Sequence, residues 1–538
     1  MNAKLMTALA LALAPCWAAS AAQSVFQWAV EVAKEDGKAC TAYLWIPPQA
    51  DRIRGVVIGG ESEPAQDPAI RAACAEEKLA IVQPRPHIDG VFNYKTGKGP
   101  EVFQKVLDSL AAASGYSELS VAPFFTFGHS TSCNYATAAA CWSPQRCFGV
   151  LVHKGGLALP SYDPQADISG IPVLAVKGQF EEFGPGPSGV LRDYEDRETG
   201  WKASREHYLK LRGQNERMLI SLIVEAGTTH MAWSQRDGEY VALFIRKAAQ
   251  ARIPDWPTET REPVQCKQID ITTGALTSTA ITNPAAAKPA PYGEYKGDRK
   301  YTYWHVDMEL ARAWEAYHAG LFNKRTQFVT FADPATGKPL YSLHDLRFSI
   351  PAVYVGPDIL KVAATFLLEA RDRYAVPEPP VGHAAGPILF RRFGGTAEQV
   401  GPDTFRVRMD GRGGASAAIM AYHPGDAQYR YAEQPAGMKL SPLTKGKPQT
   451  ITFPPIGPLT GRAQPVKLLA TSDSGLPVSC FVQYGPAVVE DDVLKISEIP
   501  PRAKFPIPAV VGAYQWGSGL EPFVQTAAPV KQTVMVDK

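Results

Sequence analysis

Along the first half of the chain, short runs of β-branched and aromatic residues alternate with longer stretches of helical periodicity. Residues 42–46, 55–58, 79–83, 124–127, 148–153, 173–177 and 219–225 are candidate strands, several of them continuous β-branched or aromatic runs of the kind covered on both faces. Between them, residues 68–77, 102–113, 133–141, 202–211 and 239–251 repeat apolar positions three and four apart, which predicts helices. This alternation predicts an α/β fold built on a doubly wound, mostly parallel sheet.

The rhythm breaks at Pro254, Asp255, Trp256 and Pro257, so a boundary is expected near residue 255. Residues 281–292 are rich in Ala and Pro, the composition of a linker. Beyond them a helix is expected at 306–318, and short apolar runs broken by Gly, Pro and Asp suggest strands through 326–431. From Lys447 onward apolar residues alternate with polar ones: Val466, Leu468 and Ala470; Val478, Cys480 and Val482; Val510, Gly512, Tyr514 and Trp516. Such strands between Pro/Gly/Asp turns predict a terminal immunoglobulin-like β-sandwich at 447–538. The expected units are thus 23–255, a mixed, β-rich region at 256–446 that is either independent or packed on the first, and 447–538. A length of 538 residues suits that division at roughly 150 residues per domain.

Residues 1–4 lead into an almost wholly apolar run ending at Ala14, followed by the small residues Ala18, Ala19, Ser20, Ala21 and Ala22. That is the pattern of a secretory signal peptide over 1–22, so export to the periplasm or the cell exterior is expected. A lipid anchor on Cys16 is the alternative, although Pro15 stands where such signals take a small residue. No later stretch reaches the ~18 to 20 apolar residues needed for a membrane span. Seven cysteines remain after the signal, and export makes disulfides available to them, with Cys141–Cys147 as the pair nearest in sequence and Cys40–Cys74 as another option. Burial as small apolar thiols is the competing expectation. None has zinc-ligand spacing, and no metal is expected. With 55 basic against 53 acidic residues, the net charge of +2 excludes the electrostatic footprint of a nucleic-acid binder.

Candidate chemistry begins where the run 124–127 ends, because Gly128, His129, Ser130, Thr131 and Ser132 lead straight into the Ala-rich helix expected at 133–141. A strand, a tight turn with serine at its apex and a helix make a nucleophile elbow. Gly128 leaves room for the turn, and the helix start offers amides and its positive end to a developing oxyanion. This stretch resembles the G-x-S-x-G elbow of the α/β-hydrolase superfamily, with Ser132 in place of the last glycine.

The resemblance implies the chain order nucleophile, acid, histidine. After 173–177, the residues Gly178, Gln179, Phe180 and Glu181 put Glu181 at the family's acid position, with Glu182 and Asp163 as alternatives. After 219–225, the loop from Ala226 places His230 at the position of the catalytic base. His230 would accept the Ser130 proton while the carboxylate fixes its tautomer. The Thr131 amide is the first expected oxyanion donor, and the amide of Gly60 or Glu61, in the turn after 55–58, is the second. His129 and His153 are candidates to border the pocket. His423 with Asp426 reads as a turn, and Tyr484, Tyr514 and Trp516 read as core or interface in preference to a sugar-stacking platform.

Such a triad needs no cofactor. Exported α/β-hydrolases carrying a sandwich resemble the esterases of bacterial polysaccharide degradation. That likeness implies a serine esterase acting on small-molecule or polysaccharide esters. The same triad would serve a peptidase or a polyester depolymerase, and the fold would also serve as the scaffold of a non-catalytic binding protein.

Overall fold

The structure, a computed structural model, describes residues 25–88, 92–179, 199–228, 230–281, 286–320, 323–340, 349–367, 382–412 and 416–538. The expected signal peptide lies outside them. Eight strands form the central sheet: β1 (Trp28–Ala33), β2 (Ala39–Trp45), β3 (Gly55–Ile58), β4 (Leu79–Arg85), β5 (Phe124–His129), β6 (Cys147–His153), β7 (Val173–Gly178) and β8 (Ile220–Glu225). Their order is β1-β2-β4-β3-β5-β6-β7-β8. β2 is antiparallel to both β1 and β4, and every other pair is parallel. This is the α/β-hydrolase arrangement. Every residue of β3, β6, β7 and β8 is buried, so helices and loops cover both faces, and the continuous apolar runs follow from that. β1 is not among the expected strands. It is a half-buried edge with exposed Glu31, pairs only with β2, and carries a weaker apolar signal.

Four helices precede β6: α1 (Ser62–Gln66), α2 (Pro68–Glu76), α3 (Gly99–Ser114) and α4 (Cys133–Trp142). The helix Gln235–Arg252 starts before the expected residue 239, because Ser234 and Asp237 form a capping box that satisfies a first turn without apolar periodicity. It packs along α2. The open edge of β8 is closed by the helix Met308–His318: Trp314 Nε1 donates to the Leu222 carbonyl at 2.7 Å, and the Val224 amide donates to His318 Nε2 at 3.0 Å. Two side chains thereby satisfy backbone groups that an edge strand would otherwise leave to solvent or to another chain.

Residues past the expected boundary join the same core: Trp256, Val264, Cys266, Tyr303 and Trp314 are buried with the residues of the sheet. Further on, the strands Leu389–Gly395, Ser416–His423 and Ala432–Lys439 form an antiparallel sheet. Its core is separate, built around Phe331, Leu360, Phe405, Ile419 and Met438. Nearer the C-terminus, the strands Ser479–Tyr484, Ile507–Tyr514 and Val530–Asp537 pair in one sheet. The strands Ala487–Glu490 and Val493–Ile496 pair in another, and both sheets contribute to one apolar cluster.

Leu468, Val478, Cys480 and Val482 face that cluster as expected, but the strand Ile507–Tyr514 runs in the opposite parity to expectation. Ala509, Val511 and Ala513 face that cluster, whereas Tyr514 and Trp516 turn to the middle region. The Tyr514 hydroxyl donates to the Val407 carbonyl at 3.0 Å, and Trp516 Nε1 donates to the Tyr354 hydroxyl at 2.7 Å. Tyr484 rests 6.4 Å from the Tyr43 ring. These aromatics join the three parts of the chain. Arg502 also crosses to the N-terminal unit, bonding both carboxylate oxygens of the fully buried Glu118 at 2.7 and 3.2 Å.

All seven described cysteines are buried thiols, which overturns the pairings Cys141–Cys147 and Cys40–Cys74. Burial pushes the Cys74 and Cys147 thiols far above their ordinary range, which keeps them unreactive.

Candidate active site

β5 ends at His129, and the chain turns at Ser130 with φ +56°, the left-handed region that a serine rarely occupies. A short 3-10 turn, Ser130–Ser132, then feeds α4. The turn closes so tightly that a Cβ on Gly128 would lie 2.2 Å from the Ser132 carbonyl oxygen. A non-glycine residue in a strained conformation at the C-terminal edge of a buried sheet is the signature of an elbow that presents its side chain outward. Ser130 is half-buried and Thr131 exposed, so both stand at the surface of the site.

The departure from the family pattern at Ser132 has a physical account. Ser132 is buried, and its hydroxyl reaches the carboxyl of Glu61. The same carboxyl accepts the His129 amide at 3.0 Å. Glu61 therefore ties the turn after β3 to both flanks of Ser130. That turn lies tight against the end of β5, since a Cβ on Gly59 would meet the Phe127 carbonyl oxygen at 2.5 Å. Gly60 in turn lies beneath the His87 ring. The amides of Gly60 and Glu61, the two candidates for the second oxyanion donor, thus stand on the elbow's side of the sheet, and the additional feature is a carboxyl beside them.

Burial pushes the Glu61 carboxyl up to about 7, with nearby Glu63 adding to the effect and the bonds from His129 and Ser132 opposing it. The His87 ring, 3.7 Å away, is itself held below its usual range by burial and by Arg85, so it supplies no fixed positive charge. A carboxyl raised on folding stabilises the protein fully below its unfolded pKa, and that stability is lost as pH rises through about 7. Glu61→Gln keeps an acceptor for the His129 amide but cannot ionise. Unfolding titrations at pH 5 and pH 8 should show the variant gaining about 2 to 3 kcal/mol on the parent between the two. An equal difference at both pH values would rule out ionisation of Glu61 in this window.

His230 is buried in the loop that follows β8. Its ring lies 4.9 Å from that of His129, the residue preceding Ser130, and His129 Nε2 donates to the His230 carbonyl at 2.8 Å. The structure thus brings the turn at Ser130 and the loop of His230 together. Glu181 and Glu182 lie outside the described residues. Asp163 is held by Tyr94, by Lys95 at 2.5 Å and by the Gln165 amide, which together keep its carboxyl below the usual range. His153, expected to border the pocket, is buried against the Trp233 ring at 5.1 Å and the His129 ring at 5.2 Å. Burial and the neighbouring Lys154, His129 and His230 push its pKa well down, so it is a neutral packing residue beneath the site. His423 accepts the Gly425 amide and Asp426 those of Gln428 and Tyr429, the bonds of a turn.

Sequence reasoning did not find the charged group under the histidine loop. Lys154 has φ +49° and no exposed side-chain surface. Its Nζ donates to Glu225 Oε2 at 2.7 Å and to the Ala232 carbonyl at 2.8 Å. Glu225 also accepts Ser234 Oγ at 2.8 Å, and Tyr317 donates to Asp237 at 2.8 Å. The positive charge of Lys154 draws the Glu225 carboxyl below its usual range, while burial beside Glu225 drives Asp237 well above. His153, Glu225 and Asp237 place potential ligand atoms within 4.8 Å of one another, but the ammonium of Lys154 already supplies the cation of this group. A lysine followed by two glycines at the end of a strand was the available signal, and it does not distinguish a buried cation from a solvated one.

No protein-family model matches the chain, and no curated protein does. Among solved structures, the chain is similar to a poly(3-hydroxybutyrate) depolymerase from Bordetella parapertussis, at 15% identity over 43% of this chain and 92% of that one, with a TM-score of 0.27. It is also similar to an S-formylglutathione hydrolase from Agrobacterium tumefaciens, at 14% identity over 41% of this chain and 94% of that one, with a TM-score of 0.28. A third is Est1E from Butyrivibrio proteoclasticus, at 16% identity over 41% of this chain and 99% of that one, with a TM-score of 0.25.

Proposed function

We propose that the protein is a serine hydrolase of carboxylic esters. The observation that carries this reading is Ser130 at φ +56° on a strand–turn–helix elbow, with the His230 loop bonded to the residue before it. In this reading Ser130 attacks the ester carbonyl, His230 takes its proton and returns it to the leaving alcohol, and water resolves the acyl-enzyme. The start of α4 and the turn at Gly60 and Glu61 receive the oxyanion, and Glu181 is the acid that orients His230. Residues 1–22 direct export, and the two terminal sheets form an accessory sandwich that favours polymeric substrates such as ester-decorated polysaccharides. The chemistry needs no cofactor. No helix among the described residues is long and apolar enough to cross a membrane.

The direct test is a fluorophosphonate probe followed by peptide mapping. Covalent label on the peptide containing Ser130, blocked by prior incubation with a hydrolysable ester, is the expected result. A native, folded protein that takes no label, or takes it at another serine, removes this reading. Acetylated, methyl-esterified and feruloylated glycans, compared with a polyester and a peptide, then assign the substrate class.

A further inference from the structure

The loop that carries His230 is held by its carbonyls. His129 Nε2 donates to the carbonyl of His230, Lys154 Nζ to that of Ala232 at 2.8 Å, and Arg391 Nη2 to that of Trp233 at 2.8 Å. The first two donors stand at the ends of hydrolase strands β5 and β6. The third belongs to the strand Leu389–Gly395 of the middle region, more than 150 residues later in the chain. Arg391 is itself placed by Glu433, whose side chain is fully buried 3.7 Å away and accepts the Tyr431 hydroxyl at 2.6 Å. Tyr431, immediately before the strand Ala432–Lys439 that carries Glu433, meets the other end of the loop, because a Cβ on Gly227 would lie 1.9 Å from the Tyr431 carbonyl oxygen. Gly227 has φ +76°, and its amide donates to Gln179 at 2.9 Å. Both ends of the histidine loop therefore rest on residues from outside the hydrolase sheet.

We infer that Arg391 is a positioning residue for His230, and that the middle β-region is a structural part of the catalytic unit. The inference rests on the proposed serine-hydrolase reading for its kinetic consequence, but the bracing itself is independent of that reading. A guanidinium donating to a main-chain carbonyl fixes the loop without touching substrate. Its loss should therefore displace the base relative to Ser130 and leave substrate binding largely intact, and misplacements of this kind cost on the order of 100-fold in rate.

The test compares Arg391→Ala, Arg391→Lys and Glu433→Gln in the full chain with Arg406→Ala, a control on a remote strand whose arginine faces Asp358. Two readouts are used: steady-state hydrolysis of a small activated ester, and hydrogen exchange across residues 226–234. Arg391→Ala should lower kcat by about 30- to 100-fold with KM within about threefold, while Arg391→Lys recovers part of the loss. Exchange in 226–234 should accelerate in Arg391→Ala and stay at the parent rate in Arg406→Ala. Should Arg391→Ala not fold, Arg391→Lys and Glu433→Gln carry the same comparison at smaller amplitude. Parent-like kcat and parent-like exchange in the folded Arg391 and Glu433 variants overturn the inference. A parent protein without esterase activity but with accelerated exchange in Arg391→Ala would instead overturn the functional reading and leave the bracing standing.

Discussion

Ser130→Ala should abolish ester hydrolysis, lowering kcat by about 10⁴ to 10⁶ while the protein remains folded. The magnitude follows from the way a triad works. Without the hydroxyl there is no acyl-enzyme, and the base and oxyanion donors retain only a small residual effect on water. Folding should survive because the strain at φ +56° is a backbone property that alanine shares, and because the half-buried Ser130 side chain faces the site. Stability within about 1 kcal/mol of the parent is therefore expected. Ser132→Ala is the informative companion. It removes a buried hydroxyl that reaches Glu61 two residues from the nucleophile, so it should cost stability with far less effect on rate. If purified, folded Ser130→Ala hydrolyses an activated ester within about tenfold of the parent, the nucleophile has been misassigned.

The central sheet was legible because buried parallel strands need apolar residues on both faces, which leaves uninterrupted runs such as Gly55–Ile58. The elbow was legible for a related reason: only a few residue types fit a sharp strand-to-helix turn, and Gly128 is where a Cβ has no space. What could not be read depended on partners distant in sequence. Glu61 was a candidate only through its amide, since nothing local says that its carboxyl would meet the His129 amide. Arg391 and Glu433 sit in strands with ordinary alternation, and their role exists only where the middle region meets the histidine loop. In the terminal part, alternation gave the facing of Val478, Cys480 and Val482 but not that of the strand Ile507–Tyr514. Tyr514 and Trp516 look like core residues by period, yet they pack towards the middle region because a second apolar surface competes for them.

Lys154→Met should be strongly destabilising, costing about 3 to 5 kcal/mol at neutral pH. Methionine matches the length and apolar stem of lysine, so the loss is of charge and hydrogen bonds with little change in volume. Lys154 is fully buried and faces three buried carboxyl groups, those of Glu225, Asp237 and Glu433, from β8, from the helix Gln235–Arg252 and from the strand Ala432–Lys439. Ser234, Tyr317, Tyr431 and Arg391 bond or face these carboxyls from the remaining sides. With the ammonium removed, Glu225 becomes an uncompensated buried charge, and the Ala232 carbonyl in the histidine loop loses its donor. The sign of the pH dependence follows. In the parent, Lys154 holds the Glu225 carboxyl below its usual range, a contribution present above the unfolded carboxyl pKa and lost as pH falls below it. In the variant, Glu225 escapes the cost of burial only by taking up a proton, so the penalty should be smaller at pH 5 than at pH 8. The double variant Lys154→Met/Glu225→Gln should regain part of the lost stability at pH 8, since neutralising the stranded partner removes the larger share of the penalty. Denaturant unfolding of the parent and both variants at the two pH values measures all of this. A single variant within about 1 kcal/mol of the parent at pH 8, or a double variant no more stable than the single one, would show that Lys154 does not neutralise this cluster.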